Sequence, residues 1–277
     1  MSAARPTEGA HTAVHSMEAP TLPSLFVSHG APLFAVDAGS TGPALRAWAR
    51  AHDKPSAIVV MSPHWMARTP MVMGTPAPQT WHDFGGFPPE LYQLQYPAPG
   101  QPALAQEMVA LLQAEGIEAG LDPRRPFDHG TWVPLMHLYP EADVPVVQLA
   151  LPASAGPAQV YALGRALRPL RERGVLLMGT GSMTHNLGEF FGGQTEPAPY
   201  VIEFSRWVED RVAKGDTAAL LDYRRQAPHA QRAHPTEDHF LPLFFALGAA
   251  TEDAKADYIS REVMYGMLAM DAFALRS

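Results

Sequence analysis

The segment "HPTEDHFLPLFFALG", His234 to Gly248, sets two imidazoles and two carboxylates within six residues, directly before an apolar run. These side chains hold divalent iron or zinc, and imidazole also moves protons near neutral pH. A metal site needs ligands from more than one segment, and three further histidines stand where segments can meet. His29 follows "SLFVS", His64 follows "AIVVMSP" and His185 follows "VLLMGTGSMT". Each apolar run reads as a buried strand, and open α/β sheets bind their ligands beyond the carboxyl ends of the strands. Three imidazoles at one such rim match what a mononuclear metal site requires, and Gly30 beside His29 lets a substrate or a backbone approach closely.

The C-terminal block contributes one ligand at most. Were it helical, residues 237 and 239 would point about 200° apart, and residues 234 and 239 about 140° apart with Pro235 between them. On geometry alone His239 and Glu237 both remain candidates, with the leftover carboxylates free to orient a ligand imidazole. Thr236 can cap a turn, and Pro242 can begin the apolar helix. The other histidines have plainer readings. His11 and His15 lie in an N-terminal tail, while His52 and His229 fall at a helix end and in a polar loop, where solvation is expected. His137, in "WVPLMHLYP", reads as a hydrogen-bonded core residue. The chain has no cysteine, so thiolate chemistry and disulfides are excluded. "GTGS" lacks the rest of a phosphate loop or dinucleotide fingerprint, and no G-x-S-x-G elbow is present.

The elements that must position these residues alternate along the chain. Strands are expected at 24–30, 56–65, 144–152 and 174–185, and helices at 42–53, 101–116, 156–174 and 200–216, several with proline near the start and glycine at the end. This alternation predicts an α/β fold, a central mostly parallel, mixed sheet with helices on both faces and the site at the strands' C-terminal rim. The end, "EVMYGMLAMDAFALR", reads as a last strand or a hairpin. Residues 1–22 are expected to be a disordered tail and 23–277 one catalytic domain, since no repeat or linker divides them. Hydrophobic residues make up 47 % of the 277, enough for a large core, and the net charge is −8 without a basic cluster. A nucleic-acid partner is therefore disfavoured. No apolar run reaches the length of a membrane span and the N-terminal segment lacks the apolar stretch of a secretory signal, so a cytoplasmic enzyme, monomer or homodimer, is expected.

Six separated blocks, "SHGAP", "IVVMSPHW", "WHDFGGFPPELYQLQYPAPG", "FDHGTWVPLMHLYPEADVPVVQL", "GTGSMTHNL" and "HPTEDHFLPLFFALG", resemble in this order the class III extradiol ring-cleaving dioxygenases, in their 4,5-DOPA dioxygenase (LigB-like) branch. The likeness runs from about Leu25 to the C-terminus. It implies O2-dependent cleavage of a small catechol, DOPA or a relative, on non-haem iron(II), giving a ring-opened semialdehyde. By the same resemblance His29, His64 and His239 hold the metal, with Glu237 as runner-up because the protocatechuate-cleaving relative uses a glutamate there. A three-imidazole site carries one negative charge less than that triad and admits zinc in purified protein. His185 is implied as the acid/base and His129 as a residue that meets substrate or oxygen. The loop containing His82, Asp83, Phe84 and Gly85 is implied to shape the substrate mouth. Two rival functions are a zinc-dependent hydrolase, which would act without oxygen, and a non-catalytic metal-binding protein on the same scaffold.

Overall fold

In the computed structural model of the protein, residues 21–190, 193 and 195–276 are described; the expected tail, apart from its last two residues, lies outside them. The β-branched and apolar runs form strands: β1 (Ser24–Ser28), β2 (Ala57–Ala67), β3 (Met71–Met73), β4 (Gly120–Asp122), β5 (Val146–Pro152), β6 (Val175–Gly181) and β7 (Lys255–Ser260). The C-terminal stretch supplies both expected forms, a small hairpin of β8 (Val263–Met264) and β9 (Leu268–Ala269), then β10 (Ala272–Arg276). The main sheet has the order β4-β3-β5-β2-β6-β1-β10-β7. Its centre, β5-β2-β6-β1, is parallel throughout, while β10 pairs antiparallel with both β1 and β7. Those central strands are buried on both faces, which is why they read as unbroken apolar runs rather than as alternation.

The helices are α1 (Thr41–Arg50), α2 (Pro102–Ala114), α3 (His129–Leu138), α4 (Pro157–Leu167), α5 (Leu187–Phe190), α6 (Pro199–Ala213), the short α7 (Thr217–Leu221), α8 (Tyr223–Gln226) and α9 (Ala230–Ala233), and α10 (Pro242–Ala249). On one face α10 lies against β6 and β1 and packs on α4, which in turn meets α2; on the other, α3 lies against β2 and β6 and packs on α1. The expected helix 156–174 ends at Leu167 and continues as a 3-10 turn over Arg168–Arg173, because Pro169 cannot donate to the preceding turn. Glycines allow the closest contact between α4 and α10: a Cβ on Gly164 would stand 2.1 Å from the Phe245 carbonyl oxygen, and one on Gly248 2.0 Å from that of Tyr161. No helix among the described residues is long and apolar enough to cross a membrane.

Candidate active site

Five histidines converge beyond the carboxyl ends of the central strands. His29 is the first residue past β1, and its backbone N–H is held by the Gly181 carbonyl at 2.8 Å. The strand expected over 56–65 runs two residues further, through His64 to Ala67, with a register shift against β5 between Ser62 and Met66. A bulge of this kind re-aims a side chain, and here it delivers His64 to His29, Nε2 to Nε2 at 3.2 Å. His129 opens α3. Asp128 caps that helix by accepting from the Thr131 N–H at 3.1 Å, and also accepts from the Ser62 hydroxyl, Arg125 and Gln148. One buried carboxylate thereby ties the start of α3 to the β2 segment carrying His64. Gly130 follows because nothing larger fits: a Cβ there would lie 2.4 Å from Ser62 Oγ and 2.9 Å from the His64 ring.

The C-terminal block reaches the same place by lying on β6. Cβ atoms on Gly179 and Gly181 would stand 1.9 Å and 2.1 Å from the carbonyl oxygens of Pro242 and His239, so the glycines of "GTGS" serve close backbone packing. Three bonds join this block and the residue before it to the loop leaving β6: Ser182 N–H to His239 O (2.9 Å), His185 N–H to Ala233 O (2.8 Å) and His234 Nε2 to Met183 O (2.8 Å). His185 thereby lies face to face with His239, ring centroids 3.6 Å apart and planes 6° from parallel. His239 is a turn residue, since α10 begins only at Pro242.

Of the four candidates in this block, the structure brings only His239 to the cluster. Its ring centroid lies 5.5 Å from that of His29 and 5.0 Å from that of His64. Glu237 turns the other way, accepting from the Tyr223 hydroxyl at 2.7 Å. His234 is buried against Phe240 and Phe204, and Asp238 stands behind His239, accepting from its Nδ1 at 2.6 Å. The outer nitrogens of two other imidazoles are also occupied, His29 Nδ1 by Thr180 Oγ1 at 2.9 Å and His129 Nδ1 by Asp83 Oδ1 at 3.0 Å. Asp83 accepts the His129 backbone N–H as well, at 2.9 Å.

The tightest group is His29, His64 and His129, each offering a nitrogen within 4.8 Å of the others. Burial first, then the neighbouring imidazoles, holds His29 well below its ordinary pKa and lowers His64 to about 4. Burial likewise lowers His185, and it lowers His239 despite the hydrogen bond its Nδ1 makes to Asp238. Burial alone would raise Asp83 and Asp238, but hydrogen bonds and charge from His129 and His239 outweigh it and bring both below the usual carboxylate range. Burial favours the neutral imidazole at His29, His64 and His239, and with the outer nitrogens of His29, His129 and His239 tied, the nitrogens that converge fit a divalent cation. In front of them opens a cavity of about 270 Å³, lined by His64, His129, His185 and His239 together with residues such as Pro32, Phe84 and Leu268.

The loop expected at the substrate mouth divides by role. Phe84 walls the cavity, edge-on to His129 at 5.6 Å, and Phe87 joins it. Asp83 orients His129, His82 bonds away to the Leu94 carbonyl at 3.0 Å, and Gly85 has open space beside it. His137 bonds the Phe34 carbonyl within the core, as expected. Sequence reasoning missed the orienting residues Thr180, Ser62 and Asp128 and the wall residues Leu187, Phe190 and Leu268. Only Asp128, directly before His129, carried a signal, that of a helix N-cap.

Comparison with known proteins places the chain in a family. A family model described as the catalytic LigB subunit of aromatic ring-opening dioxygenase matches residues 24–273. A 4,5-DOPA dioxygenase extradiol of Beta vulgaris is 38 % identical over 258 residues, covering 92 % of this chain and 96 % of the relative. One of Escherichia coli (strain K12) is 37 % identical over 238 residues, covering 84 % and 87 %. The solved structure of an uncharacterized Escherichia coli K12 protein superposes with a TM-score of 0.77 at 31 % identity, over 91 % of this chain and 99 % of that one. With the family model spanning nearly all of the described chain, the protein belongs to the LigB family of aromatic ring-opening dioxygenases and is an enzyme of the extradiol class.

Proposed function

We propose that the protein opens the ring of a small catechol beside one hydroxyl, with iron(II) as its metal and O2 as co-substrate, to give a ring-opened semialdehyde that keeps both oxygen atoms. One observation carries this reading: imidazoles from five separate segments converge, four of them lining one apolar cavity and His29 packed against them. His29, His64 and His239 would hold the metal, as the family resemblance implies, which leaves His129, edge-on to Phe84, to meet the substrate ring. Iron(II) there would supply electron transfer between catechol and oxygen and lower the pKa of the bound hydroxyls.

The chain's own residues do the remaining work. His185 is held neutral by burial, so it is ready to take a proton from a catechol hydroxyl and later to return it. Stacking on His239 fixes its plane. Asp83 holds His129 through Nδ1, which turns Nε2 to the cavity, where it can hydrogen-bond a substrate hydroxyl. Phe84, Phe87 and Pro32 exclude water and confine a flat ring.

The test loads metal-free protein with iron(II) without oxygen, adds a panel of catechols and then admits O2. Uptake of one O2 per yellow ring-opened product is expected. His185→Ala should lower turnover by about 100- to 10,000-fold with iron content retained, whereas His29→Ala, His64→Ala and His239→Ala should each lose iron. Absence of uptake across the panel with iron bound would overturn the reading.

A further inference from the structure

The walls of the cavity are made of carbon. Beyond the imidazoles, its lining includes Pro32, Phe84, Phe87, Leu187, Phe190 and Leu268, and among the described residues no Lys, Arg, Asp or Glu side chain takes part. The nearby arginines are committed elsewhere. Arg125 is held between the rings of Trp65 and Trp81, 4.8 Å and 5.1 Å from their centroids, and donates to Asp128 and to the His64 carbonyl. Arg232 donates to Glu189 at 2.9 Å and covers the Tyr200 ring. The acids closest to the imidazoles, Asp83 and Asp238, already accept from His129 and His239 and leave negative charge behind the site.

A charged group on the substrate ring would therefore exchange water for a largely apolar wall with no Lys, Arg, Asp or Glu side chain among the described residues to pair with it, which is unfavourable. An alkyl or ester group in the same place gains by leaving water. We infer that this enzyme selects catechols whose ring substituent is uncharged, over those that carry a carboxylate or an amino-acid group. The inference rests on the extradiol reading above and narrows it to a substrate class.

The experiment compares dihydrocaffeate with its methyl ester, a pair that differs in charge at a position insulated from the ring by two methylenes, and adds DOPA. The iron-loaded enzyme is assayed for kcat/KM by oxygen uptake, and dissociation constants are measured without oxygen. The ester is expected to exceed the acid and DOPA by at least tenfold in kcat/KM, a difference of about 1.4 kcal/mol, carried mainly by KM and matched in the dissociation constants. Leu187 stands at the mouth and is 56 % exposed, so Leu187→Arg can be made without opening the core. That variant should move the ester-to-acid ratio at least fivefold towards the acid. An acid or DOPA used as well as the ester by the unaltered enzyme would overturn the inference while leaving ring cleavage in place. No oxygen uptake with any catechol would overturn the extradiol reading itself.

Discussion

Three histidines of the cluster are oriented through an outer nitrogen, and the partner differs: a hydroxyl for His29, a carboxylate for His129 and His239. A carboxylate behind an imidazole fixes its tautomer and strengthens it as a donor, so removing it costs about 10- to 100-fold in metal affinity when that imidazole is a ligand. Asp238→Asn is therefore expected to weaken iron binding by about that factor, whereas Asp83→Asn should leave affinity near its original value and lower turnover. Competition with a chromogenic chelator measures both. The reverse pattern would make His129 the third ligand in place of His239, a choice the near-symmetry of the two carboxylate pairs keeps worth testing. The sequence showed His29, His64 and His185 by one physical signal, a histidine directly after an apolar strand. It could not by itself choose between His239 and Glu237, because the choice depends on a turn whose shape comes from long-range packing on β6. His129 was legible only by resemblance, since "FDHG" alone reads as an ordinary helix start.

At the scale of elements, the strands and helices were readable from their periodicity, and the deviations lie where the site is built. The bulge that carries β2 through His64 leaves no mark in "IVVMSPHWMA". The glycines of "GTGS" were visible, but their purpose depends on what lies over them: His239 and Pro242 rest on the bare face of β6. Gly181→Ala would drive a methyl group to 2.1 Å from the His239 carbonyl oxygen and lift the backbone of the proposed ligand off the sheet. Overpacking of this kind costs about 1–3 kcal/mol or more, and here it should also weaken iron binding at least tenfold. Gly164→Ala is the matched control, because its methyl group meets Phe245 O at the same 2.1 Å, between α4 and α10 and remote from the ligands. Urea unfolding should show both variants destabilised, with metal affinity lost only in the first. Equal loss of affinity in both would mean that global loosening, not the seat of His239, governs the metal site.

For the whole molecule, the chain's end completes what its beginning starts. β10 inserts beside β1, and the Asp271 carbonyl just before it accepts the Ser28 N–H at 3.1 Å, one residue ahead of His29. The Asp271 side chain is buried there at 3 % exposure. Burial first, then the charge of Glu209, pushes its carboxyl up to about 7 despite Arg261. An unfolded aspartate ionises near 3.9, so between about pH 4 and 7 the folded protein holds a proton that the unfolded chain has released. Stability contributed by this group is therefore complete below pH 4 and declines as pH rises through that window. His234 acts in the opposite sense, since burial lowers it to about 3. Its unfolded form gains a proton as pH falls below about 6.5, and that loss deepens towards pH 3. The two slopes oppose each other in mildly acidic solution, and only the aspartate contributes a penalty above neutrality. Asp271→Asn keeps the size and burial of the group and cannot ionise, so it separates the two. Its unfolding free energy should match that of the unaltered protein at pH 4 and exceed it by up to about 4 kcal/mol at pH 8. A difference of the same size at both pH values would show that the amide acts through packing, and that Asp271 does not hold its proton in the folded protein.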